Sequence, residues 1–238
     1  DYFSAAFLPA DEIGWRFAAA LVARAQAGVT IRVQIDAAGA LFEGSKKLFQ
    51  SLRQAGVDAR WFNRWRWGQP ARYNRRNHRK LLIVDRSCLY VGGFNIHRES
   101  SFDCVGVSRW RDTHVRLAGQ LIDQANDVFD DLWKRRPARR PPPWEGAYRL
   151  VPNASRACRR ELHCLYVDAL RAAQQLVYVT TPYFVPDHRF RAALGDAAER
   201  GVDVRVLLPA TTDQPIVQWA SHALARPLAR RGVRFFEY

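Results

Sequence analysis

The chain contains a histidine and a lysine two residues apart, followed at fixed distances by an aspartate, two glycines and an asparagine. These residues are His78, Lys80, Asp85, the pair Gly92 and Gly93, and Asn95. Successive side chains of an extended strand alternate between its faces, so the spacing predicts that His78 and Lys80 project from the same face. An imidazole and an ammonium side by side can contact one phosphate group, which predicts chemistry on a phosphate ester.

Each of these residue types has a role in such chemistry. Lys80 is expected to hold the non-bridging oxygens as a fixed positive charge, which leaves His78 as the nucleophile or proton carrier. Asn95 follows two glycines that allow a close backbone approach, and its side chain can donate a further hydrogen bond. Asp85 falls at the expected turn of a hairpin, where aspartate caps backbone amides. We therefore expect Asp85 to hold the hairpin that carries His78 and Lys80.

A second carboxylate, Asp112, follows this set in the segment Trp110-Arg111-Asp112. One interpretation is that Asp112 orients a ring nitrogen of His78, as carboxylates do in catalytic triads. The alternative is an ion pair at the surface with Arg111 or Arg116. The sequence leaves both interpretations open. No role is assigned to the remaining histidines, which are His97, His114, His163, His188 and His222.

The segment before His78 mixes cationic and aromatic side chains. Tryptophan favours the headgroup layer of a membrane and arginine pairs with lipid phosphates, so residues 60–76 are predicted to dock on lipid. The same composition is typical of surfaces that stack bases and bind a nucleic-acid backbone. A third interpretation is a solvated rim whose tryptophans pack inward. The candidate phosphate-binding or lipid-binding residues are Arg64, Trp65, Arg66, Trp67, Arg75 and Arg76, together with Gly92 and Gly93.

Hydrophobic periodicity predicts alternating helices and strands that position these residues. Helical patterns end at glycine and are followed by short β-branched runs, which indicates an α/β fold. Two apolar runs on either side of residues 85–87 predict a tight hairpin immediately after Lys80. The predicted helices are 11–27, 46–55, 119–134, 158–174 and 186–200, and the predicted strands are 29–36, 57–62, 81–84, 89–91 and 176–181.

The pattern of elements occurs twice. Gly28-Val29 is matched by Gly201-Val202, and Gly56-Val57 is matched in turn by Gly232-Val233. Because the matching elements follow in the same order, the sequence predicts an internal duplication, folded as a sandwich of helices around mixed sheets. The arginine- and proline-rich run after Lys134 cannot continue a helix or a strand. We therefore predict a first repeat at 1–136, a basic linker at 137–149 and a second repeat at 150–238.

Composition restricts the class of protein and of partner. With 48% hydrophobic residues among 238, the chain can bury a core, which excludes global disorder. The formal net charge of +14 concentrates anions near the surface and predicts phosphorylated partners. The four cysteines have neither the spacing of a zinc site nor that of a disulfide scaffold. No segment of the sequence has the length and apolar character of a membrane span.

The chain resembles the phospholipase D superfamily and, within it, the bacterial cardiolipin synthases. The resemblance rests on five segments, which are 77–85, 92–96, 110–114, 181–187 and 200–209. It implies a phospholipase D-like duplicated αβ sandwich, in which each repeat supplies one histidine motif. In such a pair one histidine attacks phosphorus, the other protonates the leaving alcohol, and a second alcohol releases the phosphohistidine. The resemblance therefore implies transfer of a phosphatidyl group between anionic glycerophospholipids, without a metal or other cofactor.

The resemblance also implies a setting, and it leaves alternatives open. The partners are an anionic phospholipid membrane and a phosphatidylglycerol-like substrate, at the cytoplasmic face of a bacterial inner membrane. The second repeat departs from the family pattern, because the sequence reaches Tyr238 before the second histidine is due. We therefore expect a truncated second repeat and half an active site, completed by a longer chain or a second copy. The alternatives are a phospholipase D-like nuclease or other phosphodiesterase, and a membrane-binding module without turnover.

Overall fold

The chain forms two compact units, Asp1–Leu150 and Val151–Tyr238. The computed structural model describes residues 2–5, 8–37, 43–63, 76–136, 148–153, 155–212 and 214–238. The boundary follows Leu150, whose side chain packs on the core of the first unit. Residues 137–147 lie outside the described residues, so the linker stays a prediction.

The first unit is built on one mixed sheet, whose strands are β1 (Tyr2–Ala5), β2 (Arg32–Asp36), β3 (Asp58–Phe62), β4 (Leu81–Val84), β5 (Cys88–Gly92) and β6 (His114–Leu117). Among the described residues, these six strands follow the order β3-β2-β1-β4-β5-β6. β1, β2 and β3 run parallel to one another. β4 is antiparallel to β1, and β5 and β6 continue the antiparallel pairing. The mixed sheet predicted from the sequence is confirmed.

Helices cover both faces of this sheet, and they are α1 (Glu12–Gln26), α2 (Glu43–Gln54), the single turn α3 (Phe102–Val105) and α4 (Leu121–Trp133). On one face, Leu52 of α2 packs with Val33 and Ile35 of β2 in a buried cluster. On the other face, Arg32 of β2 contacts Asp130 of α4 at 2.9 Å. Side chains alternate along a strand, so the two helical layers lie on opposite sides of the sheet. The predicted helices are therefore present, and α2 begins three residues before the predicted start.

The hairpin predicted after Lys80 is confirmed. β4 and β5 pair antiparallel from Leu81 and Val91 to Val84 and Cys88. In the turn between them, Asp85 has a left-handed φ of 51°, a conformation that aspartate tolerates better than most residues. The hairpin therefore carries Asp85 at its tip, where the sequence predicted it.

The second unit contains a parallel sheet with strands β7 (Leu176–Thr180), β8 (Asp203–Leu208) and β9 (Arg234–Glu237). Its helices are α5 (Arg156–Ala172), α6 (His188–Glu199) and α7 (Pro215–Ala229). Val204 and Val206 of β8 are buried with Leu194 of α6 and Leu228 of α7 in one cluster. The elements α5, β7 and α6 agree with the prediction for the second repeat, and β8 follows Gly201 as the matched pattern predicts.

The two units repeat the same backbone geometry, as the predicted duplication requires. The glycine that follows the helix in each matched pair has a left-handed φ between 88° and 94°, a region that only glycine enters without strain. These residues are Gly28, Gly56, Gly201 and Gly232. Val33 of β2 and Val206 of β8, which match when Gly28 is aligned with Gly201, both have a relative exposure of 0%. The duplication is thus present in backbone and core alike.

Two further expectations concern covalent chemistry and membranes. The four cysteines Cys88, Cys104, Cys158 and Cys164 form no disulfide bond with one another. Within the part of the chain that the structure describes, no helix combines the length and apolar character needed to cross a bilayer.

Candidate active site

His78 and Lys80 lie side by side in the segment 76–80, immediately before β4. The Lys80 Nζ atom is 3.0 Å from Nδ1 and 2.9 Å from Nε2 of His78, and it donates to the His78 carbonyl at 3.1 Å. The predicted strand geometry at these two residues is wrong, because the strand begins at Leu81. Their side chains nevertheless meet on one side of the chain, as the proposed phosphate contact requires.

The segment 76–80 is not a strand because its polar groups bind a carboxylate instead of a neighbouring strand. Asp36, at the end of β2 and 2% exposed, accepts the Asn77 N–H at 2.6 Å and Arg76 Nε at 2.8 Å. Asn77, which is also buried, donates its side-chain amide to Gln34 at 3.4 Å. Charge-assisted bonds of this kind are stronger than neutral ones. Asp36 therefore fixes the backbone on which His78 stands.

The protonation state of His78 suits a nucleophile. Burial lowers the pKa of His78 below its ordinary value, and the adjacent Lys80 ammonium lowers it further. Asp36 raises the pKa in opposition, and Arg76 lowers it again. With a pKa below the ordinary value for histidine, the imidazole is neutral at pH 7 and keeps a lone pair available for attack on phosphorus.

Lys80 is a buried cation whose charge is held in place by its surroundings. Its relative exposure is 6%, and burial lowers its pKa to about 8, while the Asp112 carboxylate opposes the shift. An ammonium with that pKa is still mostly protonated at pH 7. A cation removed from water interacts strongly with an incoming anion, so Lys80 can hold a phosphate next to His78.

Gly92 and Gly93 bring β5 close to the residues before β6. The Gly93 N–H donates to the Thr113 carbonyl at 2.9 Å, and a side chain at position 93 would overlap the Asp112 carboxylate. A side chain at Gly92 would overlap the backbone of residues 113 and 114. The close approach expected at these glycines is therefore made by residues 112–114, and their binding of phosphate stays a prediction.

Asn95 and Lys80 open onto one pocket of about 190 Å³ in the first unit. The Oδ1 atom of Asn95 is buried and has no hydrogen-bond partner among the described residues. A buried polar atom of this kind is costly unless a ligand or water satisfies it. The pocket is lined by Phe17, Lys80, Leu81, Leu82, Tyr90, Phe94, Asn95, Ile96 and His114.

His114 belongs to this pocket, although the sequence assigned it no role. It pairs with Gly92 in the register of β5 and β6, and its Nδ1 is buried without a partner in the described chain. Burial lowers the pKa of His114, while Asp112 raises it. The usable signal was the alternation Asp112-Thr113-His114, which places Asp112 and His114 two residues apart at the start of a strand.

Asp112 acts on the site through Lys80 and His114. Its Oδ1 accepts the Thr113 N–H at 2.7 Å, and its charge opposes the lowering of the pKa of Lys80 and of His114 that burial causes. Within the described residues it forms no ion pair with Arg111 or Arg116, so the surface ion-pair alternative was wrong. The orienting role toward His78 stays a prediction.

Most of the predicted docking segment lies outside the described residues, namely Arg64, Trp65, Arg66, Trp67 and Arg75. Residues 60–63 and Arg76, at its two ends, are described. Arg76 binds Asp36, and Trp61 stacks on Phe49 of the core with ring centroids 4.2 Å apart. Trp61 therefore packs inward rather than toward a lipid.

The matching family model and the curated relatives agree on one family. Residues 2–133 and 166–238 match the family described as "Cardiolipin synthase, PLD-like domain". Cardiolipin synthase A of Pseudomonas aeruginosa is 36% identical over 238 residues, which cover 96% of this chain and 48% of the relative. Cardiolipin synthase A of Pseudomonas fluorescens is 35% identical over 237 residues, which cover 96% and 49%. The chain thus spans about half the length of the curated relatives it matches.

A solved structure supports the fold independently of sequence. The phosphatidylserine synthase of Haemophilus influenzae superposes with a TM-score of 0.61 at 14% identity. The match covers 96% of this chain and 62% of that protein. At this level of identity the similarity shows a shared fold alone.

Proposed function

Because the chain belongs to the phospholipase D-like domain family of the cardiolipin synthases, we propose that it carries the nucleophilic half of a phosphatidyl transferase. The observation that carries the proposal is the contact between Lys80 Nζ and both ring nitrogens of His78. A neutral imidazole beside a buried ammonium combines a nucleophile with a group that neutralises phosphate oxygens. The relatives contribute the reaction class, since they are named for cardiolipin synthesis.

The proposed reaction proceeds in two displacements at one phosphorus atom. A ring nitrogen of His78 forms a bond to phosphorus, the bond from phosphorus to the leaving glycerol oxygen breaks, and that oxygen takes up a proton. The hydroxyl of the acceptor lipid then attacks the phosphohistidine, loses its proton, and the phosphorus–nitrogen bond breaks. Lys80 holds the non-bridging oxygens through both steps. A second histidine motif, in a longer chain or a second copy, supplies and removes the protons.

The proposed substrate is an anionic glycerophospholipid such as phosphatidylglycerol, at the cytoplasmic face of a bacterial inner membrane. The net charge of +14 favours such a surface, because basic residues near an anionic leaflet each contribute attraction of about 1 kcal/mol. The pocket that contains Lys80 is lined mainly by apolar side chains, which suits the part of a lipid next to its phosphate.

The test is transfer from phosphatidylglycerol, measured as release of glycerol and formation of cardiolipin. The chain is assayed together with a protein that supplies the second motif. His78→Ala is expected to abolish transfer, whereas His188→Ala, at an exposed histidine remote in sequence from the motif, is expected to leave it unchanged. Transfer that persists at the parent rate in His78→Ala contradicts the proposal. Cleavage of DNA at rates comparable to lipid turnover, without transfer, favours the nuclease instead.

A further inference from the structure

Helix α7 of the second unit presents an apolar and basic stripe to solvent. Ile216 is 84% exposed and Trp219 is 75% exposed, in the first two turns of the helix. Spacings of three, four and seven residues place all members on one side of the helix. The stripe comprises Ile216, Trp219, Ala223, Arg226, Pro227 and Arg230, all of them exposed.

The internal duplication supplies a matched helix for comparison. When Gly56 is aligned with Gly232, α7 corresponds to α2 of the first unit, and the buried positions agree. Ser45 and Ser221 are 3% and 5% exposed, and Leu52 and Leu228 are 0% and 3% exposed. Packing on the sheet therefore accounts for the residues that the two helices share.

The exposed positions of the two helices do not agree. Ala223 and Arg226 correspond in sequence to Lys47 and Gln50, which are exposed. At Lys47 and Gln50 the surface of α2 is that of an ordinary solvated helix, with a charged and an amide side chain. Packing on the core does not account for Ile216 and Trp219, and two large apolar side chains exposed side by side on a helix are a feature of interaction surfaces.

The helix is held firmly against its own unit, so the stripe is a defined surface. Ser221 Oγ accepts the Phe184 N–H at 3.1 Å and donates to the Val217 carbonyl at 2.9 Å. Leu228 is buried in the cluster with Val206. These contacts fix the opposite side of α7 and leave the stripe directed at solvent.

We propose that the stripe is a lipid-docking surface that lies on an anionic bilayer. Ile216 and Trp219 suit the boundary between headgroups and acyl chains, where the indole keeps its N–H near water. Arg226 and Arg230, further along the same side, form no ion pair with any described residue and are available to lipid phosphates. The choice of an anionic lipid as partner rests on the proposed function and on this charge.

The experiment measures binding separately from turnover. The 238-residue chain carrying His78→Ala is cosedimented with vesicles of phosphatidylglycerol and phosphatidylcholine, and with vesicles of phosphatidylcholine alone. Ile216→Ser with Trp219→Ser is expected to weaken binding to the anionic vesicles at least tenfold, because two large apolar side chains lose their site in the bilayer. Arg226→Gln with Arg230→Gln is expected to weaken binding about tenfold, with a greater effect at low salt.

Two control pairs match these variants in the first unit. Lys46→Gln with Lys47→Gln removes the same charge from the exposed surface of α2, and Phe102→Ser with Val107→Ser removes exposed apolar groups. Each control is expected to change binding by about twofold or less, because charge and apolar area count here only at the docking surface. Circular dichroism checks that every variant is folded.

The outcomes are distinguishable. Equal binding of the stripe variants and the controls overturns the inference. A parent chain that dimerises through the stripe, with dimerisation lost in Ile216→Ser with Trp219→Ser and vesicle binding unchanged, overturns it in favour of self-association. Quenching of Trp219 emission by brominated acyl chains, read as the difference from Trp219→Phe, supports it, and no quenching overturns it. Loss of binding in the stripe variants supports it even where phosphatidyl transfer fails.

Discussion

Each unit contains three neighbouring parallel strands. The central strand of the three is β2 in the first unit and β8 in the second, and the two strands end on different residues. β2 ends on Asp36, which is buried and binds Asn77 and Arg76. The position that matches Asp36 in the second unit is Pro209, directly after β8, and proline has neither a charge nor an amide hydrogen. The duplicated scaffold therefore specifies packing, whereas the anchor of the reactive segment belongs to the first unit.

A matched pair of arginines also makes different contacts in the two units. Arg32 on β2 bonds to Asp130 of α4 and lies 5.2 Å from the ring centroid of Phe129. Its counterpart Arg205 on β8 pairs instead with Asp203 of the same strand at 2.7 Å, and it lies 5.0 Å from the ring centroid of Tyr178. The repeated residue type therefore takes its role from what packs beside it.

The largest expected effect tests whether the two cores are equivalent. Leu52→Ala in α2 and Leu228→Ala in α7 each remove a buried side chain, and each should lower the free energy of unfolding by about 2–5 kcal/mol. Chemical denaturation of the two variants measures both costs. If Leu228→Ala leaves the free energy of unfolding unchanged while Leu52→Ala lowers it by the full amount, the two cores are not equivalent.

Lys80→Ala tests the electrostatic part of the site. Loss of a preorganised charge at the phosphate should slow phosphohistidine formation by about 100-fold to 1,000-fold. Lys46→Ala on the exposed surface of α2 is the control and should change the rate little. Single-turnover kinetics give both rates, and equal rates exclude Lys80 from the reaction.

Asp36→Asn tests the anchor that distinguishes the first unit from the second. The amide keeps the shape but loses the charge that binds Asn77 and Arg76, so the free energy of unfolding should fall by about 1–3 kcal/mol. Asp203→Asn in the second unit removes a carboxylate that is only half-buried and pairs with the partly exposed Arg205 and Arg234, so it should have a smaller effect. The midpoints of thermal unfolding of the two variants measure this difference. A larger loss of stability in Asp203→Asn than in Asp36→Asn contradicts the anchoring role of Asp36.

The pH dependence of phosphohistidine formation gives the smallest expected effect. The lowered pKa of His78 keeps its imidazole neutral to a more acidic pH than that of an ordinary histidine. On the acidic side, kcat/KM should therefore fall only below the ordinary pKa of histidine. It should fall again as pH rises through about 8, where Lys80 loses its proton. Because Asp36 raises the pKa of His78, Asp36→Asn should move the acidic limb to lower pH. If the acidic limb of the pH profile moves to higher pH in Asp36→Asn, the proposed effect of Asp36 on His78 is contradicted.

Local patterns in the sequence were sufficient to predict most helices and strands, because hydrophobic periodicity and the positions of glycine depend only on neighbouring residues. The hairpin at residues 85–87 and the duplicated strands follow from such patterns. The anchor does not, since Asp36 and Asn77 are 41 residues apart and meet only when β2 and the segment before β4 are placed together. His114 was missed for the same reason, because its place beside Gly92 depends on the register of β5 and β6.

The most direct test of the central claim is the identity of the residue that becomes phosphorylated. An aryl phosphodiester, whose leaving group departs without a proton, is incubated with the 238-residue chain and the adduct is located by mass spectrometry and ³¹P NMR. We expect an acid-labile phosphorus–nitrogen bond on His78, absent in His78→Ala and present in His188→Ala. An adduct on His114, or one that persists in His78→Ala, contradicts the assignment of His78 as the nucleophile.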